Sequence, residues 1–150
     1  MDFKKASEIR YNIEPAPEFS EPMIYANDHC PECKVIASGH YNSLNYYVKN
    51  IGHLYPTAYI EIPKGHKAYC SKKLNELPCH YGVTFNESYL HSVDDNGSRG
   101  HQFVGWDYGH TFDYSPFYEK GSYLEKNCKR WTTEEVISEC KRIINYINEL

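Results

Sequence analysis

The most regular pattern of apolar positions lies near the C-terminal end of the chain. Thr132 and Glu135 have the spacing of a capping box, which marks the start of a helix. Apolar residues then recur at intervals of three and four: Val136, Ile137, Cys140, Ile143, Ile144, Ile147 and Leu150. Such spacing places them on one face of an α-helix. The sequence therefore predicts an amphipathic C-terminal helix whose apolar face packs on another element.

A period of two, typical of a half-buried β-strand, is found between two prolines at residues 56–63. Ala58, Ile60 and Ile62 fall on one side of the extended chain, and the residues between them fall on the other. Further strands are predicted at 44–48, at 80–85 ("HYGVTF") and at 102–106. We therefore predict an α+β fold, an antiparallel sheet packed against the C-terminal amphipathic helix.

The first 22 residues have a different composition from the rest of the chain. Pro15, Pro17 and Pro22 stand among glutamates there, which predicts an extended N-terminal arm over residues 1–22. A short helix is predicted within residues 2–11. A chain of 150 residues is long enough to bury one real core. We expect residues 23–150 to form a single α+β domain.

Charge and hydropathy exclude some classes of function. A net charge of −4 and a pI near 6.0 disfavour a protein that binds long nucleic acid, because such binding needs a surplus of Lys and Arg. Local cations such as Lys64 still allow one or two phosphates to be held. No apolar run is long enough to span a membrane, and the N-terminus "MDFKKASEIR" lacks the apolar core of a secretory signal. We expect an intracellular protein with no membrane partner.

Reduced thiols are expected in that compartment, so the six cysteines are interpreted as thiols or metal ligands. Cys30 and Cys33 form a C-x-x-C knuckle, which is half of a tetrahedral zinc site. His29, His40, Cys70 or Cys79 could supply the other half, although no second knuckle is present. A structural zinc site, a plain reduced turn and a redox pair remain open.

Several histidines lie beside glycines, among them His66, His80 and His110. A neighbouring glycine removes bulk and permits unusual backbone angles, so an imidazole can face an open pocket. His80 and His110 also lie at the ends of predicted strands, where one rim of a sheet can present both. Asp107 or Asp113 could orient His110 and stabilise its protonated form. The alternative is that these are ordinary histidines of surface loops.

Aromatic residues are abundant around these histidines, above all in the stretch "GWDYGHTFDY" at residues 105–114. Rings provide a stacking surface for a base, and they equally fill a core. Trp106 and Tyr108 are the two that we expect nearest to a ligand.

Three motifs in order, "PTAYIEIPKGH", "HYGVTF" and "GWDYGHTFDYS", followed by the helix "EEVISECKRIINYI", resemble a family of small uncharacterised bacteriophage and prophage proteins. The resemblance covers about residues 46–150. It places the histidines of that family on His66, His80 and His110, its aspartates on Asp107 and Asp113, and its threonine on Thr84. The chain departs from the family pattern at three positions: Tyr81 and Phe112 replace glycines, and Gly109 replaces an alanine.

The resemblance implies a phage accessory protein that acts in the cytoplasm of a bacterial host, where countering host defence is a common task. The leading hypothesis is hydrolysis of a phosphodiester in a cyclic or small nucleotide signal. His80 and His110 would then be the general base and acid, with Asp107 orienting an imidazole. The expected ligand contacts are Lys64, His66, Thr84, Trp106, Tyr108 and Asp113.

Two other functions remain open at this stage, a sponge that binds the nucleotide without cleaving it and an inhibitor that binds a host defence protein. A metal-dependent hydrolase also remains open, because histidine and aspartate are ligands that zinc or manganese accepts. Beyond the structural zinc no cofactor is identified, and assembly into a homo-oligomer is left open.

Overall fold

A computed structural model describes residues 11–26 and 33–150 of the protein. The short helix predicted within residues 2–11 falls on residues outside this range, apart from Tyr11. His29 and Cys30 also lie outside the described residues.

One antiparallel sheet forms the centre of the described fold. Its strands are β1 Phe19–Ser20, β2 Cys33–Tyr41, β3 Leu44–Ile51, β4 Tyr55–Ile62, β5 Phe85–Glu87 and β6 Gln102–Asp107. They lie in the order β1-β2-β3-β4-β6-β5. The helices are a 3-10 turn at Lys72–Glu76, α1 at Tyr123–Asn127 and α2 at Thr133–Asn148. The predicted α+β fold with a C-terminal helix on an antiparallel sheet is confirmed.

Helix α2 begins and packs as the sequence predicts. The Thr132 side chain accepts a hydrogen bond from Glu135 N, and the Glu135 side chain accepts one from Thr132 N, so the capping box is complete. Val136, Cys140, Ile143, Ile144 and Ile147 are buried. They share one core with the apolar side of β4, where Ala58, Ile60 and Ile62 are all 0% exposed. Burial of this stripe therefore fixes the helix on one face of the sheet.

The opposite face of the sheet carries a smaller core. Tyr47, Tyr59 and Phe103 pack there with Leu90 and with Ala16 from the N-terminal segment. Ala16 N donates to Asn45 Oδ1 at 3.1 Å. Residues 12–17 therefore run across this face, and β1 pairs with β2 at the edge of the sheet.

Two details of the strand prediction are wrong. Residues 80–84 of "HYGVTF" form a turn and a loop, and the strand begins only at Phe85. Tyr81 has φ 58° and Gly82 has φ 84°, which no strand accommodates. Strand β2 was not predicted, because a register shift between Val35 and Ala37 interrupts its period of two.

No helix within residues 11–26 and 33–150 is both long enough and apolar enough to cross a bilayer.

Candidate functional site

His80 and His110 meet at one end of the sheet. His80 lies in the loop before β5, and His110 follows the last residue of β6 by three positions. Their ring centroids are 6.1 Å apart. The two histidines lie beside two aspartates, and we call His80, Asp107, His110 and Asp113 the histidine rim. The two imidazoles therefore lie close together, although His80 lies in a loop and not at the end of a strand as the sequence predicted.

Asp113 holds His80 through a buried carboxylate. His80 Nε2 lies 2.9 Å from both Asp113 oxygens, and the Asp113 side chain is only 3% exposed. The same carboxylate accepts hydrogen bonds from Trp131 Nε1 at 2.8 Å and from His110 N at 3.0 Å. Because an ionised carboxylate can only accept, Nε2 of His80 must carry the hydrogen. The lone pair of a neutral His80 therefore lies on Nδ1.

Asp107 faces the second histidine. Its Oδ1 lies 3.0 Å from His110 Nε2, at the distance of an ion pair. The angles are not those of a hydrogen bond, and within the described residues this buried Nε2 has no hydrogen-bond partner. We therefore treat the contact as electrostatic. Gly109 N donates to Asp107 Oδ1 at 3.0 Å and Thr84 Oγ1 to Oδ2 at 3.2 Å, which fixes the carboxylate.

Aromatic rings lie under and over these imidazoles. His80 stacks on Tyr108 with centroids 4.6 Å apart, and Tyr81 stacks on His110 with centroids 4.5 Å apart. Trp106 and Tyr108 are 1% and 0% exposed, and Trp106 Nε1 donates to the Tyr108 hydroxyl at 3.0 Å. Burial raises the pKa of Tyr108. The exposed ring surface next to the histidines belongs to Tyr81, which is 60% exposed.

Tyr81 and Phe112 adopt an unusual backbone conformation. Their φ angles are 58° and 70°, in the left-handed region that favours glycine. These are the two positions at which the sequence analysis noted a ring in place of a glycine. In this chain both positions carry exposed rings instead, which adds aromatic surface at the histidine rim.

Lys64 and His66 are not brought to the rim. His66 is buried, and its Nε2 lies 2.7 Å from Oδ1 of Asn148, the last residue of α2. Trp131, which contacts His80, precedes the first turn of the same helix. At 1.5 Å per residue these two ends of α2 are roughly 25 Å apart. Lys64 is exposed and follows β4 beyond Ile62, whereas Asp107 pairs with Thr57 near the start of β4.

Trp131 and Lys129 contribute to the rim although the sequence analysis did not single them out. The Trp131 ring lies 5.1 Å from His80, and Lys129 Nζ lies 4.3 Å from the Trp131 ring. Lys129 also pairs with Glu135 at 2.6 Å. The signal that could have found them is position, since they precede Thr132, the first residue of the capping box, by one and three residues.

The described residues offer no ready metal site. Within residues 11–26 and 33–150 no three His, Cys, Asp or Glu side chains form a group that could hold a metal ion. Cys33 is the first residue of β2, but its partner in the knuckle, Cys30, lies outside the described residues. The structural zinc site at Cys30 and Cys33 stays a prediction.

Comparison with known proteins does not extend this picture. No family model, no curated protein and no solved structure was found to match the chain.

Proposed function

We propose that the protein is a histidine-dependent phosphodiesterase that hydrolyses a cyclic or small nucleotide at the histidine rim. One observation carries this proposal: two imidazoles lie 6.1 Å apart, with His80 Nε2 hydrogen-bonded to one carboxylate at 2.9 Å and His110 Nε2 in electrostatic contact with another at 3.0 Å. An oriented pair of this kind supplies a proton acceptor and a proton donor on either side of one phosphate.

In the proposed reaction His80 is the general base and His110 the general acid. Nδ1 of His80 takes a proton from water while the water oxygen forms its bond to phosphorus. Nδ1 of protonated His110 gives its proton to the ester oxygen as the phosphorus–oxygen bond breaks. Asp107 stabilises the charged form of His110, and Asp113 keeps His80 in the required tautomer.

Residues around the rim favour a nucleotide as substrate. The exposed face of Tyr81 offers a base a stacking surface worth roughly 1–3 kcal/mol. Lys129 and Arg130 bring positive charge next to Trp131 and Tyr114. The net charge of −4 suits a small nucleotide better than a long one. The resemblance to phage proteins would make such an activity a means of removing a nucleotide signal of host defence.

The test is incubation of the purified protein with a panel of cyclic mononucleotides and cyclic oligonucleotides, with linear products followed by chromatography. We expect His80→Asn and His110→Asn each to lower the turnover rate by roughly 10²- to 10⁴-fold, because each removes one proton-transfer step. His91→Asn is the matched control. His91 also pairs with an aspartate, Asp95, at 2.8 Å, but on an exposed loop.

Full turnover by the His80→Asn/His110→Asn double variant would contradict the proposal. Stoichiometric binding of a nucleotide that is recovered intact would contradict catalysis and assign the rim to sequestration instead. Tight co-purification with one host protein, unaffected by the histidine changes and without nucleotide binding, would favour the inhibitor hypothesis.

A further inference from the structure

A cavity of about 1000 Å³ lies on the face of the sheet opposite α2. Tyr47 and Glu61 form part of its wall, and they alternate along their strands with residues that pack in the helix-facing core. Residues 12–17 and Phe19 line another part of it. Its volume is that of a pocket for a small molecule. The histidine rim is not part of it, because none of the four rim residues lines the cavity, which reaches His101 just before β6.

A buried carboxylate organises the wall of this cavity. Glu61 is 0% exposed, and Tyr47 Oη and Asn45 Nδ2 donate to its Oε1 at 2.8 and 3.1 Å. Arg99 Nη1 donates to both Glu61 oxygens at 3.1 Å, and His101 Nδ1 lies 2.6 Å from Oε2. The carboxylate is thereby saturated, so it orients Arg99 and His101 rather than binding a ligand itself.

Stability alone does not account for this arrangement. A buried ion pair is often no more stabilising than apolar side chains of the same volume. The neighbours on this face, Tyr59, Phe103 and Leu90, show that the sheet can build an apolar core here. A charged network retained at the wall of a cavity is typical of a functional site.

The chemistry of the wall indicates the class of ligand. The Arg99 side chain is 39% exposed and lines the cavity, while Glu61 holds Nη1 and Nη2 donates to Val93 O at 3.1 Å. Ring nitrogen Nδ1 of His101 is used by Glu61, which leaves Nε2 for another partner. Apolar side chains, among them Ile13, Val35 and Val93, line another part of the cavity, and the remaining polar lining residues are Asn12, Glu14, Ser38 and Ser92. A ligand with an anionic group and an apolar body would therefore have contacts for both parts.

We infer that this cavity is a second binding site, which takes a small organic anion. The carboxylate or phosphoryl group of that ligand contacts Arg99 and His101, and its apolar body lies against the N-terminal segment 12–17. The geometry of a guanidinium suits both kinds of anion. This inference is independent of the function proposed for the histidine rim.

The test is calorimetric titration of the full-length protein with phenyl phosphate, phenylacetate and the neutral benzyl alcohol. We expect one or both anions to bind more tightly than the alcohol, and the stronger of the two identifies the anionic group. The double variant Glu61→Gln/Arg99→Met leaves no unpaired buried charge and should weaken anion binding by about ten- to hundredfold. Arg99→Lys keeps the charge and is expected to fold, but it should also weaken anion binding, because lysine lacks the planar fork of the guanidinium.

A matched control uses the exposed pair of Arg142 and Glu139 on α2. The variant Glu139→Gln/Arg142→Met should bind the anions as the unaltered protein does. The inference would be overturned by no binding of either anion, by binding in both Arg99 variants as tight as in the unaltered protein, or by binding lost in His80→Asn/His110→Asn, which would place the probe at the rim. Equal affinity for benzyl alcohol would equally reject an anion site.

Discussion

Phe112 and Tyr81 each keep a side chain where the backbone favours glycine. The left-handed conformation costs a residue with a Cβ about 1–2 kcal/mol. Phe112 is nevertheless held there, because its carbonyl accepts a hydrogen bond from Lys129 N at 2.8 Å. Tyr81 is held by the hydrogen bond from its hydroxyl to Thr111 O at 3.1 Å and by stacking on His110. Strain of this kind is common at functional sites, where a side chain must point in one direction.

Replacement of Phe112 by glycine should therefore stabilise the fold. The ring is 53% exposed, so its removal loses little burial, and glycine adopts φ 70° without strain. We expect Phe112→Gly to raise the free energy of unfolding by about 1 kcal/mol. Phe112→Ala keeps the strain and loses the ring, so it should be less stable than Phe112→Gly. Urea denaturation of both variants measures this difference, and the opposite order would show that the ring contacts outweigh the strain.

At the scale of elements, the start of α2 connects the core to the site. Trp131 donates to Asp113, which binds His80, and the next residue, Thr132, caps the helix. The helix therefore begins at a fixed place relative to the histidine rim. Its stripe of buried residues holds it against the sheet, so the position of Trp131 depends on both the cap and the core.

Loss of the cap should weaken the fold by a measurable amount. Thr132→Ala removes the acceptor for Glu135 N and should lower the free energy of unfolding by about 1 kcal/mol. Thr132→Ser keeps the hydroxyl and should cost much less. Thermal unfolding followed by circular dichroism compares the two. A Thr132→Ala protein as stable as Thr132→Ser would show that the cap contributes nothing beyond the packing of α2.

Elements with an uninterrupted period could be predicted from the sequence. Helix α2 and strand β4 have such a period, and both lie where it places them. Strand β2 has a register shift between Val35 and Ala37, and its Gly39 lies so close to Tyr46 that a Cβ there would clash with the Tyr46 side chain. Whether such a segment forms a strand depends on tertiary contacts, which a local sequence pattern does not show.

The candidate site was predictable only in part, for a similar reason. His110 and Asp107 are three residues apart, so their proximity follows from the sequence. His80 and Asp113 are 33 residues apart, and only the fold pairs them. His66, like His80, has a glycine near it in the sequence. It nevertheless lies at the C-terminal end of α2, whereas His80 lies at the N-terminal end. Residue type and a neighbouring glycine therefore do not tell which histidines meet.

For the whole molecule, the sheet separates two different environments. The face toward α2 is an apolar core, and the opposite face combines a smaller apolar cluster with the Glu61 network. Burial alone would raise the pKa of Glu61, but hydrogen bonds from His101, Asn45 and Tyr47 and the charge of Arg99 outweigh it. The pKa falls from its ordinary value of 4.5 to about 2. Folding is therefore coupled to the ionisation of this one carboxyl group.

This coupling predicts how the stability of the protein responds to acid. A lowered pKa contributes stability that is fully present above pH 4.5 and is lost as the pH falls toward about 2. A shift of this size corresponds to about 3 kcal/mol. Urea denaturation between pH 6 and pH 2 should show that loss in the unaltered protein.

The variant Glu61→Gln should be less stable than the unaltered protein at pH 6, yet its stability should change less with pH, because its amide does not titrate. Tyr47→Phe, which keeps the carboxylate but removes one donor, should move the acid transition to higher pH. Parallel pH profiles for the unaltered protein and Glu61→Gln would show that other carboxyl groups govern its acid stability.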